Sequence, residues 1–199
     1  MKKILVIVAA VFAAFVLSAP VVDAQTKLQK KEAKRAAKVL EKEGWKSDGG
    51  AHTIEYYLLQ YYALEAENEL VQGRSADVDG NTRVAADLAK QNAAQEYVRL
   101  NTSYFKGVGA ETMGKMNGAT IDDIENSAIS QFEGAIDGKL SVSFLLFKET
   151  NGKISCIAYC YINKAKAEEL RKEAIENATD DAERIGEHYE SVKRTVEGE

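Results

Sequence analysis

The chain has 199 residues and a formal net charge of −5, which gives no general reason to bind nucleic acid. A single proline and only two cysteines exclude a disulfide scaffold, so the fold has to rely on ordinary apolar burial.

In chain order, residues 1–24 read as a secretory signal peptide. Lys2 and Lys3 precede an apolar run from Ile4 to Leu17, and Val22-Asp23-Ala24 closes it with small residues, placing cleavage before Gln25. The run is shorter than the roughly 20 residues of a membrane span, and no comparable run follows, so no transmembrane span is expected. No cysteine stands at the expected cleavage point, so a lipid anchor is not expected either. Export is the expectation, with the periplasm, the outer membrane or secretion as destinations. Removing 24 of the 199 residues leaves 175, and the loss of Lys2, Lys3 and Asp23 takes the charge to −6. That length suits one domain with a core and an appendage.

Residues 25–50 form a basic helix and linker. Strong helix formers fill Thr26 to Glu43, with seven Lys/Arg against three Glu, and Gly44 ends the run. Residues 51–165 read as an α+β core. It begins with an aromatic helix over "AHTIEYYLLQYYALEAENEL", with Ile54, Leu58, Tyr61 or Tyr62 and Glu65 at helical spacing. Leu70 to Ala76 reads as a short strand. A long helix from Thr82 to Tyr104 follows, whose stripe of Ala85, Leu88, Ala89, Ala93, Tyr97, Leu100 and Tyr104 is small enough to lie close on a sheet.

After a glycine-rich connection, Thr120 opens a helix with Ile121, Ile124, Ala128, Ile129 and Phe132 on one side. Two β-forming runs then flank Asn151-Gly152, the usual two-residue type I′ hairpin turn. Pairing outward sets Phe147 opposite Cys156, Leu145 opposite Ala158 and Ser143 opposite Cys160. Both faces of this hairpin are apolar, so both should be covered.

Residues 166–199 belong to one long helix capped by Asn163, with Leu170, Ala174, Ala178, Ile185, Tyr189, Val192 and Val196 as a near-heptad seam. It is too long for a small sheet to cover. Asn163 to Glu199 carry seven Lys/Arg and eleven Asp/Glu, so the basic first helix is expected to pack with this acidic one, within one chain or between two.

The chemical motifs mostly dissolve on inspection. "GAETMGKM" resembles a phosphate loop but has Met116 where the hydroxyl belongs, and a helix rather than a strand before it. Asp77, Asp79 and Asn81, with Gly80, resemble the start of a calcium loop. Counted from Ser75, the twelfth position is Ala86 rather than Glu, so a strand-to-helix turn with capping residues is the plainer account, and a weak metal site is the alternative. His52 and His188 stand apart at no familiar metal spacing. Sequons at Asn101 and Asn177 fall in helices and are read as chance.

Cys156 and Cys160 lie four residues apart, about 13 Å along a strand, beyond the reach of a disulfide. The facing positions bring no soft ligands, and buried core residues are the expectation.

The order "LVQGRSADVDGN", "TRVAADLAKQNAAQEYV", an Asn-Gly hairpin and "CIAYCYINKAKAEELRKEAIEN" resembles an uncharacterised exported envelope family of gut-type gram-negative bacteria. Its members share N-termini like "KKEAKRAAKVLEKEGWK". They in turn resemble the twenty-kilodalton-lipoprotein family and the N-terminal domain of flagellar assembly protein T.

The resemblance implies a small α+β domain: a strand, a long helix and a hairpin in one antiparallel or mixed sheet. It implies an interaction or assembly module of the cell envelope, with no catalytic residues to carry over. The expectation is a non-enzymatic protein without a cofactor, associating with itself or a protein partner through its terminal helices. The alternative is a binding module for an envelope polymer, anionic lipid or Ca²⁺ through the basic helix or the Asp77-Asp79-Asn81 turn. An exported hydrolase comes third.

Overall fold

The computed structural model describes the backbone of residues 19–106 and 121–197, with side-chain environments for 27–106 and 122–185. Most of the expected signal peptide and all of "GAETMGKM" lie outside the described residues. The fold is α+β, as expected: helices pack on both faces of a small antiparallel sheet.

Helix α1 (Ala19–Lys42) ends at Gly44, whose φ of +89° is the left-handed conformation that glycine adopts freely. Two residues, β1 (Lys46–Ser47), then join the edge of the sheet. Thr53 caps α2 (Ile54–Ala63), its hydroxyl accepting from the Tyr56 N–H. A 3₁₀ turn (Leu64–Ala66) leads into β2 (Asn68–Arg74), and β3 (Val78–Asp79) follows. Next come α3 (Thr82–Phe105), α4 (Ile121–Ile136), the hairpin strands β4 (Ser141–Thr150) and β5 (Lys153–Asn163), and α5 (Lys164–Glu197).

The strand order is β1-β4-β5-β2, with β3 also pairing β5, and every pairing is antiparallel. Asn151 and Gly152 have φ of +53° and +77°, the geometry of the type I′ turn that the sequence calls for. Phe147 pairs with Cys156 and Leu145 with Ala158 as expected. Beyond that the register departs from expectation: a bulge between Val142 and Phe144 sets Val142, not Ser143, opposite Cys160. A bulge inserts an unpaired residue that counting outward from a turn cannot anticipate.

Alternation along β5 divides the core in two. Cys156, Ala158, Cys160 and Ile162 pack with α3, α4 and α5. Ile157 and Tyr159, with Phe144 and Leu146 of β4, pack with α2 and α1. The expected aromatic helix is shorter than its pattern, because Asn68 and Glu69 turn into strand by pairing with Asn163 and Ile162. Tyrosines 57 and 61 lay rings against the sheet: Tyr57 stacks on Phe144, Phe144 on Tyr159, and Tyr61 meets Tyr159 edge-on at 5.2 Å.

Helix α3 lies on β2 at a distance set by Gly73. A Cβ there would sit 2.1 Å from the Ala89 carbonyl oxygen and 2.2 Å from the Ala93 nitrogen. The alanine stripe Ala85, Ala89 and Ala93 is fully buried, as its size predicts. At its C-terminal end the stripe is corrected: Leu100 and Tyr104 are exposed, and Val98 and Phe105 take their places in the core. Phe105 turns inward to meet Phe132 of α4 at 5.1 Å, a partner that periodicity within α3 does not reveal.

Among the described residues the two terminal helices do not share a core. Ala33, Ala37 and Leu40 of α1 pack on α2's side of the sheet, whereas Ala167, Leu170, Ala174 and Ala178 of α5 pack with α4 on the opposite side. The expectation that they pair within one chain is therefore corrected. The segment expected as a linker supplies β1, and Trp45 beside it is buried.

Candidate functional site

The residues singled out in the sequence occupy ordinary structural positions. Asn81 caps α3, its side-chain oxygen accepting from the Val84 N–H at 3.1 Å. Asp77 accepts from the Ser155 hydroxyl, and Asp79 pairs along the backbone with Lys153. These three are thus drawn toward the hairpin and the α3 cap. Among the described residues no three His, Cys, Asp or Glu side chains form a group able to hold a metal. His52 is exposed and lies against Tyr56, and the side chain of His188 is outside the described residues.

Both cysteines are buried free thiols, 0% and 1% exposed. Burial pushes the Cys156 thiol up to about 12 and the Cys160 thiol up to about 11, so neither offers a thiolate near neutral pH.

A polar cluster that the sequence does not announce holds more chemistry. Arg171, one turn into the apolar seam of α5, is 8% exposed. Its guanidinium donates to both oxygens of Glu69 on β2, Nη2 to Oε1 at 2.8 Å and Nη1 to Oε2 at 3.1 Å. The Tyr97 hydroxyl of α3 donates to the same Glu69 Oε2 at 2.6 Å. Asn101 places its carbonyl oxygen 2.9 Å from Arg171 Nη1, because its amide group already donates to the Tyr97 backbone carbonyl. The first of the two sequons is therefore engaged in packing. On the outer side Arg171 Nε reaches Glu168 at 3.3 Å, and the guanidinium lies 5.4 Å from the Tyr104 ring centre.

The electrostatics follow from this geometry. Burial pulls the Glu69 carboxyl up, but the hydrogen bonds from Arg171 and Tyr97 outweigh it and hold the group below its ordinary range. Burial, reinforced by Glu69, drives the Tyr97 hydroxyl well above its ordinary value. The Glu69 hydrogen bond raises Arg171 further despite its burial. Each group is fixed in one protonation state at neutral pH, and Arg171 donates through Nε, Nη1 and Nη2 within the cluster. Its chemistry is that of a brace tying β2, α3 and the base of α5 together. One signal could have found it: Ala167, Arg171, Ala174 and Ala178 recur at helical spacing, so Arg171 occupies an apolar position and needs a buried acid.

Two of the cavities that open on the surface flank α3. One of about 310 Å³ lies between α3 and the turn after α4, with Ala94, Ile136 and Leu140 in its wall and Lys90 at its rim. Lys90 is already paired with Asp87 at 3.2 Å. The other, about 320 Å³, lies between β1 and the start of α3, beside Lys46, Thr82 and Arg83.

No protein-family model matches this chain, and neither the curated proteins nor the solved structures provide a match. Among the described residues no helix is long and apolar enough to cross a membrane.

Proposed function

We propose that the protein is a non-enzymatic, exported component of the cell envelope that works as an interaction or assembly module through its terminal helices. The observation that carries this reading is a break in cover along α5. Leu170, Ala174, Ala178 and Ala182 are at most 5% exposed, yet Ile185 on the same stripe is 61% exposed. Beyond it the seam continues in sequence as Tyr189, Val192 and Val196, and the helix backbone extends to Glu197. A helix of 34 residues is about 51 Å long, so its distal part outruns the small sheet. An apolar seam of this kind stabilises a helix only when a partner covers it.

The Arg171 cluster supports the same reading from the other end, because it anchors the base of α5 to the core. A rigid base lets a projecting helix present its far end to a partner in a defined direction. Light scattering on the exported protein and on a chain ending at Arg184 tests this. A mass above that of one chain, lost on truncation, supports association through the distal seam. Equal single-chain masses, with no partner recovered by crosslinking in the cell of origin, would overturn it.

A further inference from the structure

Helix α1 carries an exposed stripe of six cations: Lys27, Lys31, Lys34, Arg35, Lys38 and Lys42. At 100° per residue they fall within an arc of about 100° and extend about 22 Å along the helix. The stripe turns away from Ala33, Ala37 and Leu40, the residues that α1 buries. None of the six forms an ion pair among the described residues. In a chain of net charge −5, this is a concentrated field of the opposite sign.

A matching stripe exists on α5. Glu173, Glu176, Asp180 and Glu183 are all exposed, fall within an arc of about 80°, and lie roughly opposite the buried alanines of that helix. They too are without an ion pair among the described residues. Within one molecule the stripes cannot meet, since α1 and α5 pack on opposite faces of the sheet and each turns its charges outward.

We infer that α1 of one copy docks along α5 of a second copy, the six cations lying against the acidic stripe. This rests on the assembly reading above and adds a second contact beside the distal seam. Such a contact is heterologous, leaving one stripe of each sign free to recruit a further copy or close a ring. Single exposed pairs contribute little, but a line of them acts together and sets register and direction. The exposed Val39 beside the cations adds an apolar contact at the rim.

Charge reversal with exchange tests the inference on the exported protein. One variant carries Lys31→Glu, Lys34→Glu and Lys38→Glu, the other Glu173→Lys, Glu176→Lys and Asp180→Lys. Circular dichroism first establishes that each keeps its helix, as substitutions at exposed positions should. The native protein is expected to gain mass with concentration at low salt. Its mass should fall as salt rises from about 0.1 M to about 1 M, which shortens the screening length from about 10 Å to about 3 Å. Each variant alone should show a smaller mass than the native protein at the same concentration, and mixing the two should restore the native mass.

If both variants associate like the native protein, the stripe contact is wrong while assembly through the distal seam stands. If the native protein is a single chain at every concentration, both readings fall. If the first variant instead loses binding to phosphatidylglycerol vesicles with no change of mass, the basic stripe belongs to a lipid surface, and the inference is overturned. Should a variant lose its helix, the salt dependence of the native protein decides alone, and salt-independent mass counts against the inference.

Discussion

Arg171 and Glu69 meet as a two-pronged ion pair across 102 positions of sequence, with N–O distances of 2.8 and 3.1 Å. Arg171 has 10% of its side chain exposed and Glu69 29%, so each charge depends on the other for much of what water would supply. Removing one partner is therefore worse than never having had the pair. Glu69→Gln is expected to destabilise the fold by about 2 to 3 kcal/mol, below the range for fully buried pairs because Glu69 keeps some solvent. Urea unfolding measures it, and a loss under about 0.5 kcal/mol would mean that the pair is surface-like.

The same pair predicts a pH dependence. Glu69 titrates below its ordinary 4.5 in the folded protein, so the unfolded chain takes up the proton first as pH falls. Its stabilisation is complete above 4.5 and disappears as pH falls through the lower folded value. The native protein should therefore lose more stability on acidification than Glu69→Gln does. Parallel declines in the two proteins would remove Glu69 from the account.

Gly73 has no room for a side chain. Gly73→Ala would drive a Cβ into the main chain at Ala89 and Ala93, which cannot swing aside as a flexible side chain would. We expect a loss of about 3 kcal/mol or more, at the upper end for overpacking. Ala93→Gly in the same chain should not rescue it, because the closest obstacles are backbone atoms; a rescue would show that α3 is free to shift.

Tyr61 reaches from α2 through the aromatic layer to the backbone carbonyls of Val71 and Cys160, at 2.9 and 3.0 Å. Tyr61→Phe keeps the ring packing and removes the donor. The expected cost is about 1 kcal/mol, the net worth of one hydrogen bond, read as a shift in the urea midpoint without a change in slope.

The two thiols should be silent in the native state and reactive once the chain unfolds. Burial beneath α3 and α4 together with thiol values near 11 and 12 blocks both access and ionisation. A chromogenic disulfide reagent near neutral pH checks this, and rapid native labelling of either cysteine would contradict the core assignment.

Local pattern alone determined a good deal of this protein. Asn151-Gly152 between β-forming runs specified the hairpin and its first pairs, Asn81 and Asn163 marked helix starts, and Ala85, Ala89 and Ala93 marked a helix able to approach a sheet. Each signal acts over a few residues, where backbone preference and side-chain period are legible without knowledge of the rest.

Tertiary structure decided what depends on distant partners. The bulge at Val142 reset the register, β5 converted Asn68 and Glu69 from helix to strand, and Phe132 drew Phe105 rather than Tyr104 into the core. Packing also placed α1 and α5 on opposite faces, turning charge complementarity from an internal contact into an outward one. The Arg171 brace belongs to the same class: Glu69, Tyr97 and Asn101 become its partners only when β2 and α3 converge on the base of α5. No window of sequence contains that convergence, because the energy that fixes it comes from burying side chains supplied by elements far apart in the chain.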